Sequence, residues 1–81
     1  MRGIRGEPVG VWLRHGRPAR FVWRGRMYTV MYVLDRTDAV EPAASGRECW
    51  RVEATPERSM PPATYELCRD LASGRWLLSR P

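Results

Sequence analysis

Four arginines carry the most distinctive chemistry in this 81-residue sequence: Arg20, Arg24, Arg26 and Arg51. Arg24 and Arg26 flank Gly25 in the stretch FVWRGRMYTV, which alternates apolar and polar residues on both sides, and Arg20 immediately precedes that stretch. Guanidinium groups offer planar, paired donors that match phosphate and carboxylate oxygens. Strand alternation sets Arg20 and Arg24 opposite Phe21 and Trp23, and Arg51 opposite Trp50 and Val52. If the strands that carry them are neighbours, the arginines form one basic patch. Tyr28 or Trp12, if exposed beside it, would stack a nucleic-acid base. The competing reading is a solvated outer face on which Glu53 or Glu66 partly neutralises Arg51.

Catalytic chemistry finds less support. A Ser-His-acid constellation would have to use His15, the only histidine, which sits in a Gly/Pro turn. Ser45, Ser59, Ser73 and Ser79 lie in loops or near the end of the sequence, outside any nucleophile-elbow motif. Asp35 and Asp38 read as turn residues rather than an acid–base pair. A phosphate-binding loop needs a lysine, and the sequence has none. Cys49, Cys68 and His15 show no metal-ligand spacing. We therefore expect no enzyme activity, no cofactor and no metal.

The net charge of +5 and pI near 10.2 fit nucleic acid or an acidic protein as partner. Missing lysine is read as nucleotide-composition bias, and the Arg-Gly pairs at residues 2–3 and 5–6 as a frayed end. MRGIRGEP lacks the apolar stretch of a signal peptide, and Val30 to Leu34 is too short to span a membrane. The expectation is a cytoplasmic protein with reduced thiols, although Cys49 and Cys68 could pair if their strands are adjacent.

These residues need elements to hold them. Seven Gly and seven Pro cut the chain into short pieces with period-two alternation, which argues for strands and against helices. Strands are expected at Pro8–Arg14, Ala19–Arg24, Arg26–Leu34, Cys49–Ala54, Thr64–Arg69 and Arg75–Arg80. The third is apolar on both faces, as a central strand would be. Residues 35–48 and 55–62 read as long loops, the first with a short helical turn at Glu41–Ala44, and residues 1–7 as a flexible end. Phe21 or Trp23, Trp50 and Tyr65 are expected in the core, and the pattern does not decide between core and binding surface for Trp12 and Tyr32. Strands without a covering helix must curl to bury one face. The fold class is therefore all-β: one domain over 1–81, a small, strongly bent antiparallel barrel or roll of five to six strands, SH3-like in kind.

Phe21-Val22-Trp23-Arg24-Gly25-Arg26-Met27-Tyr28-Thr29-Val30 resembles the F-x-W-R-G-R-x-Y-x-V signature of a small actinobacterial domain family of unknown function. Trp50-Arg51-Val52-Glu53-Ala54, Tyr65-Glu66-Leu67 and Gly74-Arg75-Trp76-Leu77-Leu78 resemble its later segments. The W-R-G-R and R-V-E patterns are also similar to the C-terminal region of the mutasome's inactive Y-family polymerase-like subunit. That resemblance implies a non-enzymatic accessory to DNA damage tolerance and translesion synthesis. Such an accessory would contact nucleic acid or a polymerase-complex partner. The alternatives are an RNA-binding small barrel and a protein-binding module that adds a partner's strand to its sheet.

Overall fold

A computed structural model of the chain describes residues 6–40 and 46–80. The strands are β1 (Glu7–Pro8), β2 (Gly10–Arg14), β3 (Arg17–Trp23), β4 (Arg26–Val40), β5 (Gly46–Thr55), β6 (Ala63–Asp70) and β7 (Trp76–Ser79). They pair antiparallel in one sheet of order β1-β7-β6-β5-β4-β3-β2. Only Val9 separates β1 from β2, yet the two lie at opposite edges of that order. The sheet therefore curls until one N-terminal segment joins both edges, and the Val9 amide donates to the Trp76 carbonyl at 3.3 Å. The result is a small barrel-like fold. Curling covers edges that would otherwise recruit foreign strands.

The expected first strand is thus two pairing segments, one on each edge, and the sheet has seven strands rather than five to six. Glu7 belongs to β1 and not to a free end; residues 1–5 lie outside the described residues. No helix occurs among the described residues, and no helix is long and apolar enough to cross a membrane.

The inward faces meet as expected from alternation. Phe21, Trp23, Tyr28, Trp50, Val52, Ala54, Tyr65, Leu67 and Leu78 make one cluster. Phe21 stacks on Tyr28 with ring centroids 5.0 Å apart, and Tyr65 sets its edge against both rings. Tyr28 is therefore a core residue, 9% exposed, and its ring is committed to Phe21 rather than free to stack a base.

Two tight hairpins share one geometry. His15 and Gly16 have φ of 54° and 76°, and Arg24 and Gly25 have 53° and 76°. A two-residue turn whose twist matches its strands requires positive φ at both positions. Glycine adopts it freely; a long side chain such as Arg24 seldom does. Here Glu7 holds Arg24 in place, accepting from its Nε at 2.9 Å and from Nη2 at 2.6 Å. The guanidinium also lies 4.6 Å from the centroid of the Trp23 ring, while Trp23 Nε1 donates to Glu7 at 3.1 Å. These contacts tie β1 to the β3–β4 turn.

The Arg24 guanidinium holds the Glu7 carboxyl below its ordinary value of 4.5. A carboxyl lowered in the folded state adds stability above its unfolded value and loses it as pH falls through the folded one. Thermal melts of Glu7→Gln and the parent should therefore differ at pH 7 and converge as the pH drops below 4.5. A gap that persists at low pH would show that the charge is not what holds the clasp.

The expected loop at 35–48 is mostly strand. Asp35–Val40 of β4 pairs with Gly46–Arg51 of β5, which pairs in turn with Glu66–Asp70 of β6, as a three-stranded arm. Neither segment shows apolar alternation, because charge pairs support much of the arm. Glu48 accepts from Arg36 and, at 2.9 Å, from Arg69. Those guanidiniums hold its carboxyl below the usual range. The expected helical turn at Glu41–Ala44 lies outside the described residues. The second loop is real. Thr55 anchors it, its hydroxyl donating to the Glu57 carbonyl at 2.5 Å and accepting from the Glu57 amide at 3.2 Å.

Cys49 and Cys68 stand opposite each other on β5 and β6 and are joined by a disulfide. Reduced thiols were the expectation; direct register across neighbouring strands brings the two within bonding reach. Closing a segment of 19 residues stabilises the fold by about 3 kcal/mol in the chain-entropy picture.

Candidate functional site

Strands β3 and β4 pair only from Arg20↔Thr29 to Trp23↔Arg26. Past that point they part. The β2–β3 hairpin continues through Leu13↔Pro18 and Arg14↔Arg17, while β4 continues paired with β5 alone. Pro18 has no N–H to donate to a neighbouring strand. Met31 is an extra residue in β4, lying between the pairs Val30↔Ala54 and Tyr32↔Glu53. Such a bulge bends its strand and re-aims the side chains beyond it. The two strands then enclose a groove of about 820 Å³, walled by Trp12, Leu13 and Pro18 on one side and Met31, Tyr32 and Val33 on the other.

A second bulge decides the charge of this groove. Trp12 pairs with Arg20 and Leu13 with Pro18, so Ala19 is extra in β3. Strict alternation would send Arg17 and Arg20 to opposite faces. The extra residue restores them to one face: Arg17 and Arg20 are exposed while Pro18 and Phe21 are buried. Cross-strand register adds Arg14 opposite Arg17 and Trp12 opposite Arg20. Arg14, Arg17 and Arg20 all line the groove, His15 joins them at the hairpin tip, and no carboxylate is among the lining residues. None of these three arginines forms an ion pair among the described residues. Trp12 is 48% and Tyr32 62% exposed. A shallower recess continues past Arg17 toward Leu34, Asp35 and Trp50.

The six residues singled out from the sequence separate. Arg20 and Trp12 come together in the groove. Arg24 is bound by Glu7, and Arg26 Nη2 donates to Glu57 at 3.1 Å. Arg51 stands on the outer face of β5 between Asp35 and Glu66. It is four residues from Thr55, which pairs with Thr29 beside Arg20, so about 13 Å separates them along the strand alone. Tyr28 is in the core. A single patch of Arg20, Arg24, Arg26 and Arg51 does not form. Arg14, Arg17 and Tyr32 instead join Arg20 and Trp12 in the groove. The run Arg14-His15-Gly16-Arg17 carried a signal, since a two-residue turn sets its flanking residues opposite each other. The Ala19 bulge that adds Arg20 had none.

The curled sheet defines a small, all-β, barrel-like domain with an open basic groove on one flank. Over residues 4–81 the sequence matches the family described as Domain of unknown function (DUF6504), and the chain belongs to that family. No curated protein matches the chain, and no solved structure does.

Proposed function

We propose that the protein is a non-enzymatic binding module that takes single-stranded nucleic acid into the groove between β3 and β4. One observation carries this reading: Arg14, Arg17 and Arg20, none of them held by an acid among the described residues, share a face with Trp12 and line the groove with Tyr32. Single strands are bound by grooves that pair cations for the backbone with aromatic rings for the bases, each stacked base contributing about 1–3 kcal/mol. The arginines already engaged by Glu7 and Glu57 are less available for that work. Similarity of the W-R-G-R and R-V-E segments to the mutasome subunit suggests a setting in DNA damage tolerance, beside a polymerase complex.

Fluorescence anisotropy of labelled single-stranded DNA, titrated with salt, tests this. Three phosphate contacts predict a log–log slope of about −2, or about a 20-fold loss of affinity between 50 and 200 mM salt. Absence of binding at the lowest salt would end the reading. The same titration with RNA of matching sequence separates a DNA module from an RNA-binding barrel.

A second reading rests on a different observation. Among the described residues, the side of β4 facing the groove has no strand partner beyond Thr29. An acidic, extended protein segment could pair there, its backbone hydrogen-bonding from Val30 onward. Failure with both nucleic acids, together with capture of an acidic peptide, would favour it.

A further inference from the structure

On the outer face of β5 and β6, away from the groove, Cys49 stands opposite Cys68 and Arg51 opposite Glu66. Trp50 and Leu67 point inward, so the two sulfurs and the Glu66 carboxylate share one face. Their donor atoms all lie within 4.8 Å of one another. We propose that Cys49, Cys68 and Glu66 make a redox-gated site for Zn²⁺, formed when the Cys49–Cys68 bond is reduced.

The geometry suits the ion. Zinc holds thiolate at about 2.3 Å and carboxylate oxygen at about 2.0–2.2 Å, so tetrahedral donors sit about 3.4–3.8 Å from each other. Side-chain rotation can part the two sulfurs to that separation without moving the strands. The carboxylate is also uncommitted. Glu7, Glu48 and Glu57 each hold an arginine, whereas among the described residues Glu66 accepts only from the Ser79 hydroxyl at 3.3 Å, although Arg51 stands directly opposite. Cys68 is 8% exposed and Leu77 pairs beside it, so one wall of the site excludes water. Three protein donors leave the fourth position to solvent. Sequence spacing hides the set, because it is assembled across two strands.

Gating follows from the sulfur chemistry. The thiolate is the metal ligand, and a disulfide withholds both. Opening it takes two electrons and two protons from a dithiol, which leaves as its own disulfide. Zinc then displaces the two thiol protons to solvent. Reducing compartments keep such bonds open.

The test uses the whole chain, reduced with dithiol and desalted without air, and titrated with Zn²⁺ against a chromophoric chelator. The reduced protein should bind one equivalent and the oxidised protein none. Glu66→Gln, which leaves the disulfide intact, should weaken zinc binding of the reduced chain by about tenfold or more, since even the outer partners of metal ligands are worth about 10–100-fold. Cobalt substitution of the unmutated chain should show thiolate-to-metal charge-transfer absorption, a readout that needs no cysteine variant to fold. The proposal is overturned if the reduced chain binds no zinc, if the cobalt spectrum lacks that absorption, or if Glu66→Gln binds as tightly as the parent.

Discussion

Phe21→Ala is expected to strip about 3–5 kcal/mol of folding stability from the protein. The Phe21 side chain is fully buried, stacked on Tyr28 and edged by Tyr65. Its strand is the one to which both β2 and β4 pair. Truncating a buried phenylalanine removes its transfer free energy and leaves a cavity, which together cost about 3–5 kcal/mol. Marginal stability of about 0.05–0.15 kcal/mol per residue gives a chain of this length only about 4–12 kcal/mol. Loss at one site therefore consumes from about a quarter of the margin to all of it. Urea titration followed by near-ultraviolet circular dichroism, with the disulfide intact, measures the effect. Tyr32→Ala is the control: its ring is exposed on the outer side of the same sheet, and its removal should shift stability by no more than about 0.5 kcal/mol. If Phe21→Ala stayed within about 1 kcal/mol of the parent, the stacked aromatic centre would not be what holds the sheet curled.

The curled sheet was legible because its inner face obeys a simple rule. Phe21 and Trp23, Trp50 with Val52 and Ala54, and Tyr65 with Leu67 alternate strictly, and each set is buried. Gly25 announced its turn for the same local reason. What escaped the sequence depends on pairing between distant segments. Ala19, Met31 and Leu34 are extra residues only relative to the strands beside them. Each shifts the alternation of its own strand, so that Val30 and Val33 both face the core while Met31, Tyr32 and Leu34 face outward. The acids that capture Arg24 and Arg26 come from 17 and 31 residues away. Polar composition concealed the β4–β5 arm, since strands supported by charge pairs lack the apolar pattern that marks a buried face. The basic patch anticipated around Gly25 thus formed elsewhere: the same kind of side chain, at Arg14, Arg17 and Arg20, is unpaired by acids among the described residues and gathered by a bulge.

Replacing Arg14, Arg17 and Arg20 together by alanine should abolish most binding of single-stranded nucleic acid while leaving the fold intact. All three side chains are exposed and none holds an ion pair among the described residues, so stability should scarcely change. Each phosphate contact contributes about 0.7 to the salt exponent for a single strand. Extrapolated from 1 M salt, three contacts amount to about a 100-fold gain in affinity at 0.1 M, and that gain is what the variant loses. Its residual binding should be nearly insensitive to salt. Trp12→Ala makes the complementary change. It should cost about 1–3 kcal/mol of stacking with the salt slope preserved, because the ring neutralises no phosphate. Arg51→Ala removes an equal charge from a different part of the surface and should do little to either quantity. Loss of affinity spread evenly over Arg17, Arg51 and Arg24 variants would mean that the chain attracts polyanions through its net charge alone. A loss confined to the β2–β3 hairpin would mean that a bulge at one alanine built the site.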